Sequence, residues 1–128
     1  IKENPSSNKK YYNVGLDLKK QGIRSMGTPL PPLKQQAFIF PEGKHDPYHI
    51  MHRMMERQIA DDDIRSYMNN ARCMFSQWGG KRQVFYSSSG VCVITKSGDD
   101  WIYKTAWNKT DFDESTDTIL EVIRKNGL

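Results

Sequence analysis

The hydrophobic and polar positions along the chain first become regular in its middle third. Ile50 and Met54 are four residues apart, and so are Met51 and Met55, which places these side chains on one face of a helix. Pro47 suits the first turn of that helix, because an amide hydrogen there has no helical partner in any case. The spacing therefore predicts an amphipathic helix that begins near Pro47.

A second amphipathic segment follows after a short link. Its apolar residues recur at intervals of three and four, and they are Ile64, Tyr67, Met68 and Ala71. The three aspartates at 61–63 suit the positive end of a helix dipole, and we expect Asp61 or Asp62 to be the N-cap. The two patterns together predict a pair of helices.

The period changes to that of β-strands after this second segment. Apolar runs at 83–86, 91–95 and 101–107 are separated by turn sequences, and 73–75 is a candidate for a further strand before them. Such runs predict an antiparallel meander. A last apolar stripe predicts a C-terminal helix that begins between Asp113 and Thr116 and stops at Gly127. The order predicts an α+β fold, in which N-terminal helices pack on one antiparallel meander sheet and a short helix ends the chain.

The N-terminal segment has a different composition from the rest. Residues 1–36 are polar and contain four prolines, which predicts an extended or linker-like arm. Residues 37–128 are then a single domain. The chain begins with Ile1 rather than Met, so we expect it to be a piece of a longer protein.

Composition narrows the class of protein. With 37% hydrophobic and 27% charged residues in 128, the chain is suited to one globular domain, and its short apolar runs predict no membrane span. There are 19 basic and 15 acidic side chains, and the first 60 residues hold 10 of the basic and 5 of the acidic ones. A basic excess of this size favours a polyanionic partner or is an ordinary solvated surface.

Two cysteines and a serine-rich turn are minor candidates for chemistry. Two cysteines are too few for a disulfide-framed scaffold. We expect Cys73 and Cys92 to be buried free thiols, with a disulfide between them as the alternative. The turn 87–90 predicts a plain hairpin, and a nest of backbone amides that binds an anion is the alternative.

A row of basic side chains lies on another face of the first predicted helix. His49, Arg53 and Arg57 recur every four residues. Arginine binds phosphate through two parallel hydrogen bonds, and histidine transfers protons near neutral pH. RNA cleavage without a metal needs a base, an acid and cations at the phosphate, and this row supplies much of that set. The alternative is an exposed helix face with incidental charges.

The last β run carries a second group of candidates. Strict alternation predicts Trp101, Tyr103, Thr105 and Trp107 on one face of the strand. Aromatic residues on one sheet face most often belong to a core. A hydroxyl beside aromatic rings also suits an RNA base and its phosphate, so both interpretations stay open for this face.

The run His49-x3-Arg53-x3-Arg57-x-Ile59, followed by an acidic helix start, resembles a group of toxin-like RNase domains. This group joins barnase, EndoU, the tRNase colicins and RelE, and it occurs at the C-termini of polymorphic and contact-dependent inhibition toxins. In such domains the motif helix is followed by a second helix and by an antiparallel sheet whose last strand carries Thr or Ser among aromatics. The resemblance covers about residues 44–107.

The resemblance implies a metal-independent endoribonuclease that cleaves RNA, with tRNA as the expected substrate, by attack of the 2′-hydroxyl to leave a 2′,3′-cyclic phosphate. It gives His49 the acid–base role, Arg53 the phosphate-stabilising role, and Thr105 the hydroxyl of the last strand, with Tyr103 beside it. The residues expected to bind substrate are His52, Arg57, Arg82, Tyr86, Lys104 and Trp107. It implies no cofactor and no metal.

The resemblance also implies partners and a place of action. We expect a toxin that is delivered as part of a larger protein, acts in the cytoplasm of a target cell and is neutralised by an acidic immunity protein. The oligomeric state is left open. Two alternatives remain: a non-catalytic RNA- or protein-binding module, and a metal-dependent nuclease. For the second, the spacing of His45, His49 and His52 matches known zinc sites poorly.

Overall fold

The protein combines helices with one antiparallel sheet, as the sequence predicts. A computed structural model describes residues 5–23, 26–32 and 59–128. Within those ranges the helices are α1 (Pro5–Lys20), α2 (Asp61–Asn69) and α3 (Glu114–Lys125). The strands are β1 (Thr28–Leu30), β2 (Cys73–Gln77), β3 (Arg82–Tyr86), β4 (Gly90–Ser97) and β5 (Asp100–Asn108). The predicted α+β class is confirmed.

The sheet is a simple meander. Its strand order is β1-β2-β3-β4-β5, and every neighbouring pair is antiparallel. The predicted meander of β2 to β5 is therefore confirmed, and β1 extends it at one edge. At one end of the sheet, which we call the turn end, β2 turns into β3 and β4 turns into β5.

Both faces of the sheet are covered by helices. On the α1/α3 face the buried residues are Val14, Leu18, Cys73, Phe75, Val84, Tyr86, Val91, Val93, Ile119, Val122 and Ile123. On the α2 face they are Ile59, Ile64, Tyr67, Met68, Met74, Phe85, Cys92, Ile94, Tyr103 and Ala106. Burial on both sides explains why β4 is a continuous apolar run over 91–94.

The N-terminal segment differs from the predicted arm. Residues 5–20 form helix α1, in which Val14 and Leu18 are one turn apart and are buried against the sheet. Burying two such side chains contributes about 1.5–3 kcal/mol each, which outweighs the cost of about 1 kcal/mol for a glycine such as Gly15 within a helix. The expectation of an extended arm is wrong for this helix, whereas β1 is extended.

Helix α2 begins where the acidic run predicts, but with a different cap. The N-cap is Ala60 rather than Asp61 or Asp62. The carboxylate of Asp63, the third residue of the helix, accepts a hydrogen bond of 2.9 Å from the Ala60 backbone N–H. Asp63 therefore stabilises the first turn of α2. The helix predicted near Pro47 lies outside the described residues.

Helix α3 agrees with its sequence signals at both ends. Asp113 is the N-cap, and its Oδ1 accepts from the Thr116 backbone N–H at 2.8 Å and from the Thr116 hydroxyl at 2.9 Å. These hydrogen bonds lower the pKa of Asp113. At the other end Gly127 has φ 81°, the left-handed conformation that ends helices.

Candidate nucleic-acid interface

The predicted site residues fall into two groups. His49, His52, Arg53 and Arg57 lie outside the described residues, as does His45, so their assigned roles stay predictions. The chain is described again from Ile59, which is buried in the core of the α2 face. The remaining candidates lie on two strands, β3 and β5, and they are Arg82, Tyr86, Tyr103, Lys104, Thr105 and Trp107.

A β-bulge in β5 changes which of these residues share a face. Ile94 pairs with Tyr103 and Val93 pairs with Thr105, so Lys104 is the extra residue without a partner on β4. The extra residue inverts the alternation: Tyr103 belongs to the α2 face, and Thr105 lies on the α1/α3 face beside Val93. The expectation that Trp101, Tyr103, Thr105 and Trp107 share one face is wrong.

Three of the aromatic candidates pack against the core. Tyr103 is only 2% exposed, in the core of the α2 face. Tyr86 is 4% exposed on the other face and meets Phe75 edge-to-face at 5.4 Å between ring centroids. Burial raises the pKa of Tyr86, which keeps its hydroxyl protonated. Trp107 is partly buried against the core of the α1/α3 face. Packing accounts for all three side chains.

Two of the candidates do lie on the same open part of the sheet. Arg82 pairs with Thr95, and Thr95 pairs with Ile102, so the three form a row across the α1/α3 face at the turn end. The bulge places Thr105 next to Ile102 on that face. All four side chains are partly buried. Arg82 and Thr105 therefore share the α1/α3 face, two strands apart and in different rows.

The guanidinium of Arg82 is held in place from two sides. Its Nε donates to Oε1 of Gln77 at 2.9 Å, and Nε2 of Gln77 donates to the Met26 carbonyl oxygen at 2.8 Å. The guanidinium carbon lies 5.2 Å from the centroid of the Trp78 ring, which is cation–π distance. Only one of the five guanidinium N–H donors is used by Gln77, and the terminal nitrogens carry the other four.

Trp78 is the residue that the sequence analysis missed. Its side chain is 67% exposed. Its backbone has φ 55°, followed by Gly79 at 65° and Gly80 at 93°. A side-chain-bearing residue in this region costs about 1–2 kcal/mol, so the connection holds a large aromatic in a strained conformation. The available signal was a tryptophan before Gly-Gly-Lys-Arg, where the glycines indicate a turn.

The charges at the turn end are unevenly distributed. Lys81 and Arg82 follow the Trp78 turn directly, and the Lys96 backbone N–H donates to the Lys81 carbonyl oxygen at 2.6 Å. Asp99 and Asp100 lie in the neighbouring β4–β5 turn and its first strand residue. The Trp78 ring lies beside the Arg82 guanidinium, and Lys81 is in the same connection. We call Gln77, Trp78, Lys81 and Arg82 the Trp78 platform.

The opposite end of the sheet also has a cleft, of about 600 Å³, but with mixed charges. Arg72, Lys109 and Arg124 face it together with Asp117 and Glu121. Arg124 forms an ion pair with Glu121. The nearby Ser87–Gly90 turn closes on itself: Ser87 Oγ donates to the Gly90 carbonyl oxygen at 2.7 Å and accepts from its N–H at 3.0 Å. The plain hairpin is confirmed, and its amide and hydroxyl serve the turn.

The cysteines are structural. Cys73 lies on the α1/α3 face and Cys92 on the α2 face, with strand β3 between them, so they cannot form a disulfide. Both are free thiols, and burial raises the pKa of each to about 12. In the described ranges, no three His, Cys, Asp or Glu side chains are placed to hold a metal ion.

Comparisons with known proteins were made at three levels. Family models, curated proteins and solved structures each give no match to this chain. Of the helices in the described part of the chain, none has the length and apolarity to cross a membrane.

Proposed function

We propose that the protein binds RNA on the turn end of its sheet and cleaves it as a metal-independent endoribonuclease. The observation that carries the proposal is the pre-oriented guanidinium of Arg82, fixed by Gln77 and Trp78 on the face that also holds Thr105. A planar cation that shares one face of the sheet with a hydroxyl suits a phosphodiester. Both residues were candidates on sequence grounds.

The proposed chemistry is a transesterification that needs two proton transfers. A base removes the proton of the 2′-hydroxyl, and the 2′-oxygen bonds to phosphorus. The bond from phosphorus to the 5′-oxygen breaks as an acid protonates that oxygen, which leaves a 2′,3′-cyclic phosphate. We assign the acid–base role to His49 and phosphate stabilisation to Arg53, with Thr105 as a donor to a phosphate oxygen.

The order of elements supports the same proposal. The motif segment that ends at Arg57 is followed by α2 and then by the four strands β2 to β5, with Thr105 on the last strand. This is the order that the resemblance to toxin-like RNases implies. In keeping with it, we propose a toxin that acts on tRNA in a target cell and is neutralised by an acidic immunity protein.

The decisive experiment incubates the purified protein with total bacterial RNA in EDTA and identifies the new ends. We expect tRNA-sized fragments with cyclic-phosphate ends, and loss of cleavage in His49→Ala. His45→Ala is the matched control, and comparison with His52→Ala shows which histidine acts. Cleavage that requires added magnesium or zinc contradicts the proposal and favours a metal-dependent nuclease. RNA that binds but stays intact favours a non-catalytic binding module.

A further inference from the structure

The geometry points to Trp78 as a stacking site for one unpaired base of a single-stranded RNA, with Arg82 placed for the adjoining phosphate. The inference rests on the proposed function in taking RNA as the ligand, but not on cleavage. It makes the Trp78 platform the place where the substrate is held.

The exposure of Trp78 separates it from the other tryptophans. Trp101 and Trp107 are partly buried against the two cores, whereas Trp78 is 67% exposed. An aromatic ring of this size gains much by covering its surface, because aromatic side chains bury about 150–250 Å² each. A ring left open at the end of a sheet is available to a flat, apolar partner.

The backbone at Trp78 gives an independent reason. Glycine adopts φ 55° at no cost, and two glycines already follow in the same left-handed region. A tryptophan at position 78, where a glycine would adopt the same φ without strain, therefore makes the connection strained. Strain of this kind concentrates at sites of function. The ring contributes little to either core, so its contribution is to binding.

The neighbouring charges define the ligand. Arg82 binds the ring from one side at cation–π distance, and Lys81 adds a second cation at the same connection. An aromatic face beside an arginine fork fits a base and its phosphate. In a duplex the faces of the bases are covered by their neighbours, so only an unpaired base offers a free face. Single-stranded RNA fits the platform better than a double helix does.

The test measures binding of a fluorescein-labelled single strand of 2′-O-methyl RNA, which cannot be cleaved through its 2′-oxygen. Trp78→Ala is expected to weaken its affinity about tenfold, and Trp78→Phe about twofold, because phenylalanine keeps a smaller stacking face. Tyr12→Ala is the matched control: Tyr12 is an aromatic of α1 that is 66% exposed and is not part of the Trp78 platform. We expect no change there.

Three further measurements test whether a loss of affinity comes from stacking rather than from misfolding or charge. Trp78→Asn removes the ring with a residue that tolerates the left-handed conformation, and it is expected to behave like Trp78→Ala. In the wild type a stacked base quenches tryptophan fluorescence, and this quenching is expected to be lost in Trp78→Phe. A duplex of the same sequence is expected to bind more weakly and to be insensitive to Trp78.

The outcomes separate this inference from the proposed nuclease. Binding that depends on Trp78 in a protein that leaves RNA intact supports the stacking site and contradicts the nuclease. Cleavage of RNA by a protein whose Trp78 variants bind the single strand as the wild type does overturns the stacking site alone. The stacking site is also overturned if the wild type prefers the duplex to the single strand. It is overturned as well if the wild type binds neither oligonucleotide, and that result favours a protein partner.

Discussion

The two connections that flank strand β3 are built in opposite ways. Before β3, Trp78 is exposed and strained, and its ring packs on Arg82 at the surface. After β3, Ser87 is fully buried and bonds both to the N–H and to the carbonyl of Gly90. In the second connection the Ser87 hydroxyl is bonded within the turn, whereas the first leaves the Trp78 ring exposed beside a partly buried Arg82. The contrast fits the proposal made above, in which the buried connection stabilises the fold and the exposed one binds RNA.

The largest expected effect concerns Gly90 in the buried connection. A Cβ at Gly90 would overlap the ring of Tyr67, which attaches α2 to the hairpin. Gly90→Ala is therefore expected to lower the free energy of unfolding by about 3 kcal/mol, measured by urea denaturation. Gly79→Ala in the Trp78 turn is the control. Its Cβ would meet open space, so only the positive φ of this residue is expected to lower the free energy of unfolding, by about 1 kcal/mol. Equal losses in the two variants would contradict the comparison.

Ser87 gives the next largest effect. Ser87→Ala removes the acceptor of the Gly90 N–H inside a buried turn, which is expected to cost about 1.5 kcal/mol. Affinity for the single-stranded oligonucleotide is expected to stay the same. The two values come from denaturation and from fluorescence anisotropy on the same protein sample. A drop in affinity without a drop in stability would move binding to this end of the sheet.

Gln77 is expected to show the reverse. Gln77→Ala removes the bridge between the Met26 carbonyl and Arg82, so the guanidinium is no longer fixed. Affinity for the oligonucleotide is expected to fall about three- to fivefold, the equivalent of one hydrogen bond. Ser76→Ala, next along β2 on the opposite face, is the control. An affinity equal to that of the control would show that Arg82 needs no orientation.

Lys81 is expected to change the salt dependence more than the affinity. Its side chain is exposed, and we expect it to contact a phosphate rather than a base. Lys81→Ala is expected to lower the slope of log affinity against log salt by about one, with a loss of about twofold at low salt. If the slope is unchanged between about 50 and 200 mM salt, the phosphate does not contact Lys81.

The smallest expected effect is no reaction at the two thiols. Cys73 lies in β2 and Cys92 in β4, the two strands that flank β3 in the sheet. Burial raises the pKa of each thiol to about 12. A thiol reagent at pH 8 is therefore expected to label neither cysteine until urea unfolds the protein. Labelling of the native protein at the rate of the unfolded one would show that the sheet opens.

The local parts of this fold could be predicted from sequence, and the parts that depend on strand pairing could not. Asp113 and Gly127 mark the ends of α3 by their own chemistry, and turn residues separate the strands. The bulge at Lys104 depends on how β5 pairs with β4, which no alternation pattern reveals. Helix α1 was missed because its proline and glycine indicate a break, while the burial of Val14 and Leu18 depends on the sheet.

The candidate site follows the same division. Arg82 and Thr105 were chosen for their chemistry, and their common face results from the bulge. Tyr103 and Tyr86 have suitable hydroxyls, but their position in the sheet buries them. Trp78 was not chosen because its value depends on a positive φ and on the ring contact with Arg82. The roles of His49 and Arg53 stay predictions.

Photo-crosslinking tests the central claim most directly, because trypsin separates the two connections. Cleavage after Arg72, Lys81, Arg82 and Lys96 yields the peptides 73–81, with Trp78, and 83–96, with the Ser87 turn. A single strand of 2′-O-methyl RNA that carries 4-thiouracil is bound, irradiated and digested, and the linked peptide is identified by mass spectrometry. We predict a crosslink to Trp78 in 73–81. A crosslink confined to 83–96 would contradict the account.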